Sequence, residues 1–544
     1  MVLAQKDANI KAQTDKKFLT SASASAFEGG VVGVAVNYSN SDVKNSVNFN
    51  GQITAQNVNM DSVINAKKDR VVSSTGTGDS AATNIFVNKL MNGAIDWLKG
   101  KFTEVKTSKE SNVSFSFTGA VTYNDNNNTS EIILGENSAI TSLQDTNIIS
   151  NITQENFRQA ATAGVSSYKK HSKENGASVG LSLLYNTNKA IITAKDGASI
   201  DAANNLNIES KYYMPFDMTY FDFIDSFKEG KYGEVMSNLL DKLNGNLGFQ
   251  NGFCTTWANS TITVGDEEHD SKIGIAGAVN IAFFNTDSKV NLGAVKINQN
   301  VAGNNVNINA LADTFALNLS GNWGITFFGN NVQGNGIGAS YEQMEYDTNI
   351  EAKIADNAKI TVNDGFSLEA KDEQMDITVS IAGGKAKSFG LEGTFNWVNI
   401  DNDVIASVGN AQVNILNATG KTPSVYASDD GLYINVAGAV LLADNIGVGV
   451  GVALTDIDRN TQAYLGQDYT SNTLIPIDNL NTFDSNKGLD ITAVNKGAVF
   501  AYSLAATVST QSNDKTKKES SNGGDYGIGI SGAYGGTNIT DNAL

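Results

Sequence analysis

Chemistry would have to start from very few residues in this chain, which holds two histidines and one cysteine, Cys254, among its 544 residues. His171 stands in the charge run YKKHSKE and His269 in the acidic turn DEEHD. Asp266, Glu267, Glu268 and Asp270 around His269 offer hard oxygen ligands of the kind calcium takes, but not at the spacing of a calcium-binding loop, and a solvated acidic turn is the simpler reading. Hydrolysis by general acid and base needs carboxylates converging on one face. The candidates, DNDV at 401–404 and DIDR at 456–459, recur in matching places of neighbouring repeats, which suits a structural residue better than a catalytic one. The glycine strings GNGIGAS (334–340) and GVGVGVA (447–453) lack the strand–turn–helix setting and the downstream acid of a dinucleotide loop. The expectation is a protein that is not an enzyme, with no catalytic, cofactor-binding or metal-binding residues and no cofactor.

One stretch invites a contact role instead. KYYMPFDMTYFDFIDSF (211–227) gathers Tyr212, Tyr213, Phe216, Tyr220, Phe221, Phe223 and Phe227. Such a segment either touches a receptor or a membrane surface, or packs its apolar side on the body of the protein. Asp217, Asp222 and Asp225 argue against anionic lipid as the surface.

The elements that would carry these residues are strands. A formal charge of −19 and a pI near 4.6 repel phosphate backbones and exclude nucleic acid as a partner. Three prolines in the whole chain fit a molecule that is nearly all sheet interior, because proline cannot donate to a ladder. The single cysteine excludes an intrachain disulfide. No apolar run reaches the roughly 18 residues of a membrane helix; the nearest, 437–454, is broken by Asp444 and Asn445. The N-terminal MVLAQKDANIKAQTDKK has no apolar core of a secretory signal, so the chain is expected either to stay inside the cell or to be an internal piece of something longer.

A refrain recurs along the chain: NNLNIES (204–210), GNNVNINALAD (303–313), DGFSLEA (364–370), DGLYINVA (430–437) and KGLDITAV (487–494). Each is a turn of Asn, Asp or Gly followed by apolar residues at alternating positions, the period of a half-buried strand. Taking Met60, Ile148, Ile208, Ile308, Leu368, Ile434 and Ile491 as markers gives spacings of 88, 60, 100, 60, 66 and 57 residues. The two long intervals contain segments with helical apolar spacing, 84–105 (Phe86, Leu90, Ile95, Leu98, Phe102) and 221–249 (Phe223, Phe227, Val235, Leu239, Leu243). Since a solenoid coil takes roughly 20 residues, a 60-residue module reads as about three coils. The predicted fold is all-β, a right-handed parallel β-helix with short α-helical insertions, in which matching side chains stack and turns set Asn on Asn. Its expected divisions are coils over 1–83, a helical insertion at 84–110, coils over 111–211, a helical and aromatic insertion at 212–260, coils over 261–517 and an incomplete module at 518–544. The competing architecture is a string of antiparallel β-sandwiches, which would want hairpin turns and linkers that are missing here.

GVGVALTDIDRNTQAYLGQ (449–467), KGLDITAVNKGAVFAYSLAATVS (487–509) and the ADNAKITV…GFSLEAKDE unit (355–373) resemble modules of the large secreted filamentous adhesins of Gram-negative bacteria. This is the filamentous-haemagglutinin class, and the leukotoxin-type branch from anaerobes is closest. The resemblance runs from about residue 20 onward. It implies a secreted or cell-surface exoprotein exported through a separate outer-membrane partner, with host-cell adhesion or cytotoxicity as its role. It also implies a host-cell receptor or glycan as partner, with membrane contact as a further option. The chain departs from a whole family member in lacking a signal, a secretion module and an anchor, and GGTNITDNAL stops where another coil is due, so a fragment is expected.

Overall fold

The computed structural model describes residues 2–26, 32–77, 115–166, 175–214, 255–264, 272–301, 303–322, 330–417, 420, 422–466, 482–485, 487–509 and 527–544. Every strand pairing among them is parallel, which rules out the antiparallel sandwiches. The chain winds as an all-β, right-handed parallel β-helix, the hand that parallel crossovers favour. Neither expected helical segment, 84–105 or 221–249, falls within the described residues, and no helix occurs in them.

Three sheets run the height of the molecule, two of eight strands and one of eleven. In the eleven-stranded sheet three levels are split in two, so all three sheets share eight levels, here called rungs 1 to 8. The front sheet holds, in rung order, Val32–Phe49, Ser116–Leu134, Asn175–Ala194, Ile273–Leu292, Asn335–Ile354, Phe389–Val408, Ile446–Leu465 and Ile528–Ala543. The back sheet faces it with strands such as Val58–Thr77, Asn305–Gly321, Gly365–Ala386 and Ser424–Ala443. A narrow sheet of short strands, for example Gln52–Ala55, Ser199–Ala202 and Lys359–Val362, closes one edge.

One winding therefore consumes a whole module of about 60 residues: Asn126 pairs across the front sheet with Asn186, and Ile308 across the back sheet with Leu368. The expected three coils per module are corrected to one. The reason is visible in the strand Asn175–Ala194, whose 20 residues alternate inward and outward without a break. Its Asn186-Thr187-Asn188 reads as a turn in sequence. Both asparagines instead point inward and receive amide hydrogen bonds from Asn126 (2.7 Å) and Asn128 (2.8 Å) one rung away. Side-chain hydrogen bonds passed from rung to rung make Asn compatible with mid-strand, so the strand runs on for about 66 Å at ~3.3 Å per residue.

The refrain markers are true register partners with one exception. Met60, Ile148, Ile208, Ile308 and Leu368 stack in order. The next residues in that column are Val425 and Ile491, whereas Ile434 pairs with Ile377 and Phe500. The column lies in an apolar core beside the narrow sheet, with Ile53, Ile140, Ile200, Ile297 and Ile360 opposite it. Away from that edge the inward residues become polar, then small. At the far end the sheets approach so closely that a Cβ on Gly180 would lie 2.5 Å from the Asn259 carbonyl oxygen.

Two boundaries shift. Residues 205–213 and 256–264 form back-sheet strands, so the edges of the expected 212–260 insertion belong to the β-helix. Residues 528–543, expected within an incomplete module, form a front strand in full register with 446–461.

Candidate functional surfaces

The interior of the later rungs holds a set of buried ionisable groups. Glu342 is fully buried and accepts a hydrogen bond from Asn280 Nδ2 (2.9 Å), which also donates to Thr256 Oγ1 (2.7 Å). Thr256 donates to Asn318 Oδ1 (2.8 Å), and Asn318 Nδ2 reaches Asp376 Oδ1 (2.8 Å) and the Tyr346 hydroxyl (2.9 Å). Tyr346 donates to Asp376 in turn (2.5 Å). Burial pushes Glu342 well above the usual carboxylate range and Asp376 up to about 7.

Beside this chain Asp372 and Asp429 stack one rung apart, bridged by Asn402 Nδ2 at 3.2 and 3.1 Å. Arg459 lies 3.8 Å from Asp429 and forms a two-pronged pair with Asp541, both contacts 2.8 Å. Desolvation raises Asp372 well above its ordinary range and Asp429 to about 6, Arg459 opposing the latter. Glu392 sits in a cradle of Gly338 and Gly384, where a Cβ on either glycine would come within 1.9 Å of its carboxyl oxygens. Asn330 Nδ2 donates to it (3.1 Å), and burial raises it to about 8. The carboxyls of Glu342, Asp372, Asp376 and Glu392 are sealed between the sheets, where burial favours their neutral forms. Their arrangement is that of a structural core in which buried acids and amides share hydrogen bonds, although Glu342 Oε2, Asp372 Oδ1 and the amide oxygens of Asn280, Asn330 and Asn402 have no partner among the described residues.

The outer surface of the back sheet is different. Asn59, Asn147, Asn207 and Asn307 each donate a side-chain hydrogen bond of 2.9 Å to the asparagine one rung below, beginning at Asn9. This is the predicted stacking of Asn on Asn, although it climbs a sheet face as well as the turns, where Asn304 donates to Asn204 (2.7 Å). In rungs 5 to 8 the column continues as Ser367, Ser424 and Asp490 above Asn307. There it borders an open recess of about 650 Å³ lined by Asn307, Asn309, Glu369, Tyr426, Asp490 and Thr492, among others. The recess offers amides, hydroxyls and two carboxylates around one tyrosine ring.

The front sheet shows the reverse patterning in its first half. Inward positions are small or polar, as in Gly176, Ser178, Gly180 and Ser182. The outward positions between them are Ala177, Val179, Leu181 and Leu183. The register repeats this in every rung, so that four outward columns, headed by Val32, Val34, Val36 and Tyr38, climb the face with no charged residue. Val36 is 62% exposed, Val450 42% and Tyr534 62%. Rings stack along the face: Tyr38 on Tyr123 (5.2 Å), Tyr185 on Phe283 (4.8 Å) and Tyr341 on Phe395 (5.7 Å). The other half of the same face is polar and acidic. Asp347, Asp401 and Asp458 stack there in register, and burial followed by their neighbouring carboxylates raises Asp347 and Asp401. The DNDV and DIDR clusters thus lie together on an outer ladder, at an offset of two residues.

Of the aromatic contact element, Tyr212 is 1% exposed and donates to Gln154 Oε1 (2.8 Å) inside the β-helix. It is a core residue, corrected from a contact role, because its position in the strand points inward. Tyr213 is half-buried on the outer face, 4.7 Å from the Lys211 ammonium. Phe216, Tyr220, Phe221, Phe223 and Phe227 lie outside the described residues, as do His171, His269 and the DEEHD turn. Among the described residues no group of three or more His, Cys, Asp and Glu is placed to hold a metal ion. The recess and the apolar front face were missed in sequence; period-two separation of ASVGLSLLY into its odd and even residues is the signal that reveals the latter. No family model, curated protein or solved structure matches the chain.

Proposed function

We propose that this chain is a structural and adhesive segment of a large secreted or cell-surface bacterial exoprotein of the filamentous-haemagglutinin class, and that it is not an enzyme. Its partners in this reading are a host-cell surface glycan or receptor and, for the parent protein, an outer-membrane secretion partner. The observation that carries the reading is the recess around Tyr426 at the head of the asparagine ladder. Sugar hydroxyls are bound by amides and carboxylates in fixed geometry with an aromatic face beneath the ring, and Asn307, Asn309, Glu369 and Tyr426 supply that combination on an open surface. Repetition along the ladder adds weak sites whose combined avidity exceeds any one of them.

The experiment is glycan-array and host-cell binding by the purified chain, with Tyr426→Ala and Glu369→Gln as variants. The expected result is at least a tenfold loss of binding in both, with the fold unchanged. Binding that is untouched by either variant would overturn the assignment to the recess. Dye release from liposomes without saturable glycan binding would support the alternative, a passenger segment of a leukotoxin-type cytotoxin.

A further inference from the structure

Among the described residues, nothing covers the apolar half of the front sheet. Its four columns, about 27 Å across at ~6.7 Å per alternate residue and about 38 Å tall at ~4.8 Å per rung, cover roughly 1,000 Å². Monomeric proteins rarely expose more than about 300–600 Å² of contiguous apolar surface, and a stable protein–protein interface needs about 800 Å² per partner. The relief of the face points to what covers it. The second column reads Val34, Gly119, Val179, Gly277 over rungs 1 to 4 and Ala339, Gly393, Val450, Gly532 over rungs 5 to 8. Odd rungs carry a knob and even rungs a hole. Three of the holes are open, because a Cβ added at Gly277 or Gly532 would meet nothing within 4 Å and one at Gly393 only the Val450 carbonyl oxygen at 4.0 Å, while the Phe117 ring partly fills the one at Gly119.

We propose that this face binds a second copy of the same chain, sheet against sheet, with the two winding axes antiparallel and the two-fold axis along the strands. That operator lays the second column on itself in reverse, so any alignment that sets odd rungs on even ones seats valines in glycine gaps. A parallel arrangement sets valine on valine. The lack of any cation in the apolar columns, and the acidic half beside them, disfavour an anionic lipid surface as the occupant.

The test is light scattering and small-angle scattering of the full chain over a concentration series. The expected result is a particle of twice 57.5 kDa whose thickness, not its height along the winding axis, has doubled. Gly277→Val with Gly393→Val turns two holes into knobs while raising strand propensity, and weakens the pair at least tenfold. Leu181→Lys abolishes it by burying an unpaired charge. A monomer at all concentrations overturns the proposal. So does a pair that grows along the winding axis, which is end-to-end stacking, or one indifferent to the two valines. Flotation of the monomer with neutral phosphatidylcholine vesicles, lost in Leu181→Lys, overturns it in favour of a lipid occupant.

Discussion

Replacing Glu392 with glutamine should change how the stability of the protein depends on pH, by an amount the structure sets. Glu392 is 1% exposed, receives hydrogen bonds from Asn330 alone among the described residues, and its acid form persists up to about pH 8 because burial disfavours the charge. In the unfolded chain the same group titrates near its ordinary value of 4.5. The folded-state value is the higher one. Stability from this group is therefore complete below pH 4.5, falls as the pH rises towards 8, and is flat above it. At ~1.4 kcal/mol per pH unit the loss is on the order of 5 kcal/mol. No solvent screening reduces it, since the carboxyl is sealed between Gly338 and Gly384. Glutamine keeps the shape and the acceptor for Asn330 but never ionises. Urea unfolding at pH 4.5, 6.5 and 9, followed by circular dichroism, should show the parent weakening across the series and Glu392→Gln weakening by about 5 kcal/mol less. Equal slopes for the two proteins, or a parent that gains stability towards pH 9, would refute the placement of a neutral acid in this cradle.

Further outcomes follow from the same packing. Asp376→Asn should also flatten the pH response, between its ordinary 3.8 and about 7, because the buried acid it replaces is held neutral by desolvation. Asn186→Ala removes the acceptor for Asn126 and the partner of Gln154, and should lower stability by about 1–3 kcal/mol in denaturant titrations. The neighbouring outward Thr187→Ala should stay within about 0.5 kcal/mol. Ile208→Ala opens a cavity in a column that runs from Ile148 to Ile308 and should cost about 2–5 kcal/mol. Deleting residues 335–388, one full winding by the pairing of Gly336 with Gly390, should leave a soluble protein with one rung fewer. Deleting only 335–354 removes the front strand but not its rung and should give aggregates detectable by light scattering.

The sequence carries the fold class through two signals, the alternation within each refrain and the near-constant spacing between refrains. Both survive in the structure because parallel stacking requires like to sit on like. The pitch was not legible. Asn186-Thr187-Asn188 and similar clusters carry turn propensity, and only the neighbouring rung reveals that the side-chain oxygens of Asn186 and Asn188 accept hydrogen bonds in mid-strand. Ile434 was misassigned for a related reason. The back strand Ser424–Ala443 contains two stretches of the same alternating type, and local pattern does not say which one stacks on Leu368. Tyr212 was legible as aromatic and strand-borne but not as inward, since one residue of register decides the face. The recess around Tyr426 unites residues from four rungs and leaves no local mark. The buried acids were invisible for the opposite reason, because Glu392 and Asp376 look like ordinary solvated carboxylates until their neighbours are known.

The central claim is that one winding takes a whole module, and nitroxide labels at positions 207 and 307, with Cys254 replaced, test it most directly. The pairing of Asn207 with Asn307 sets the labels on adjacent strands about 5 Å apart and predicts strong dipolar and exchange broadening in the continuous-wave spectrum. Windings of about 20 residues would separate the same two positions by five levels, roughly 24 Å, and give sharp, additive lines that contradict the account.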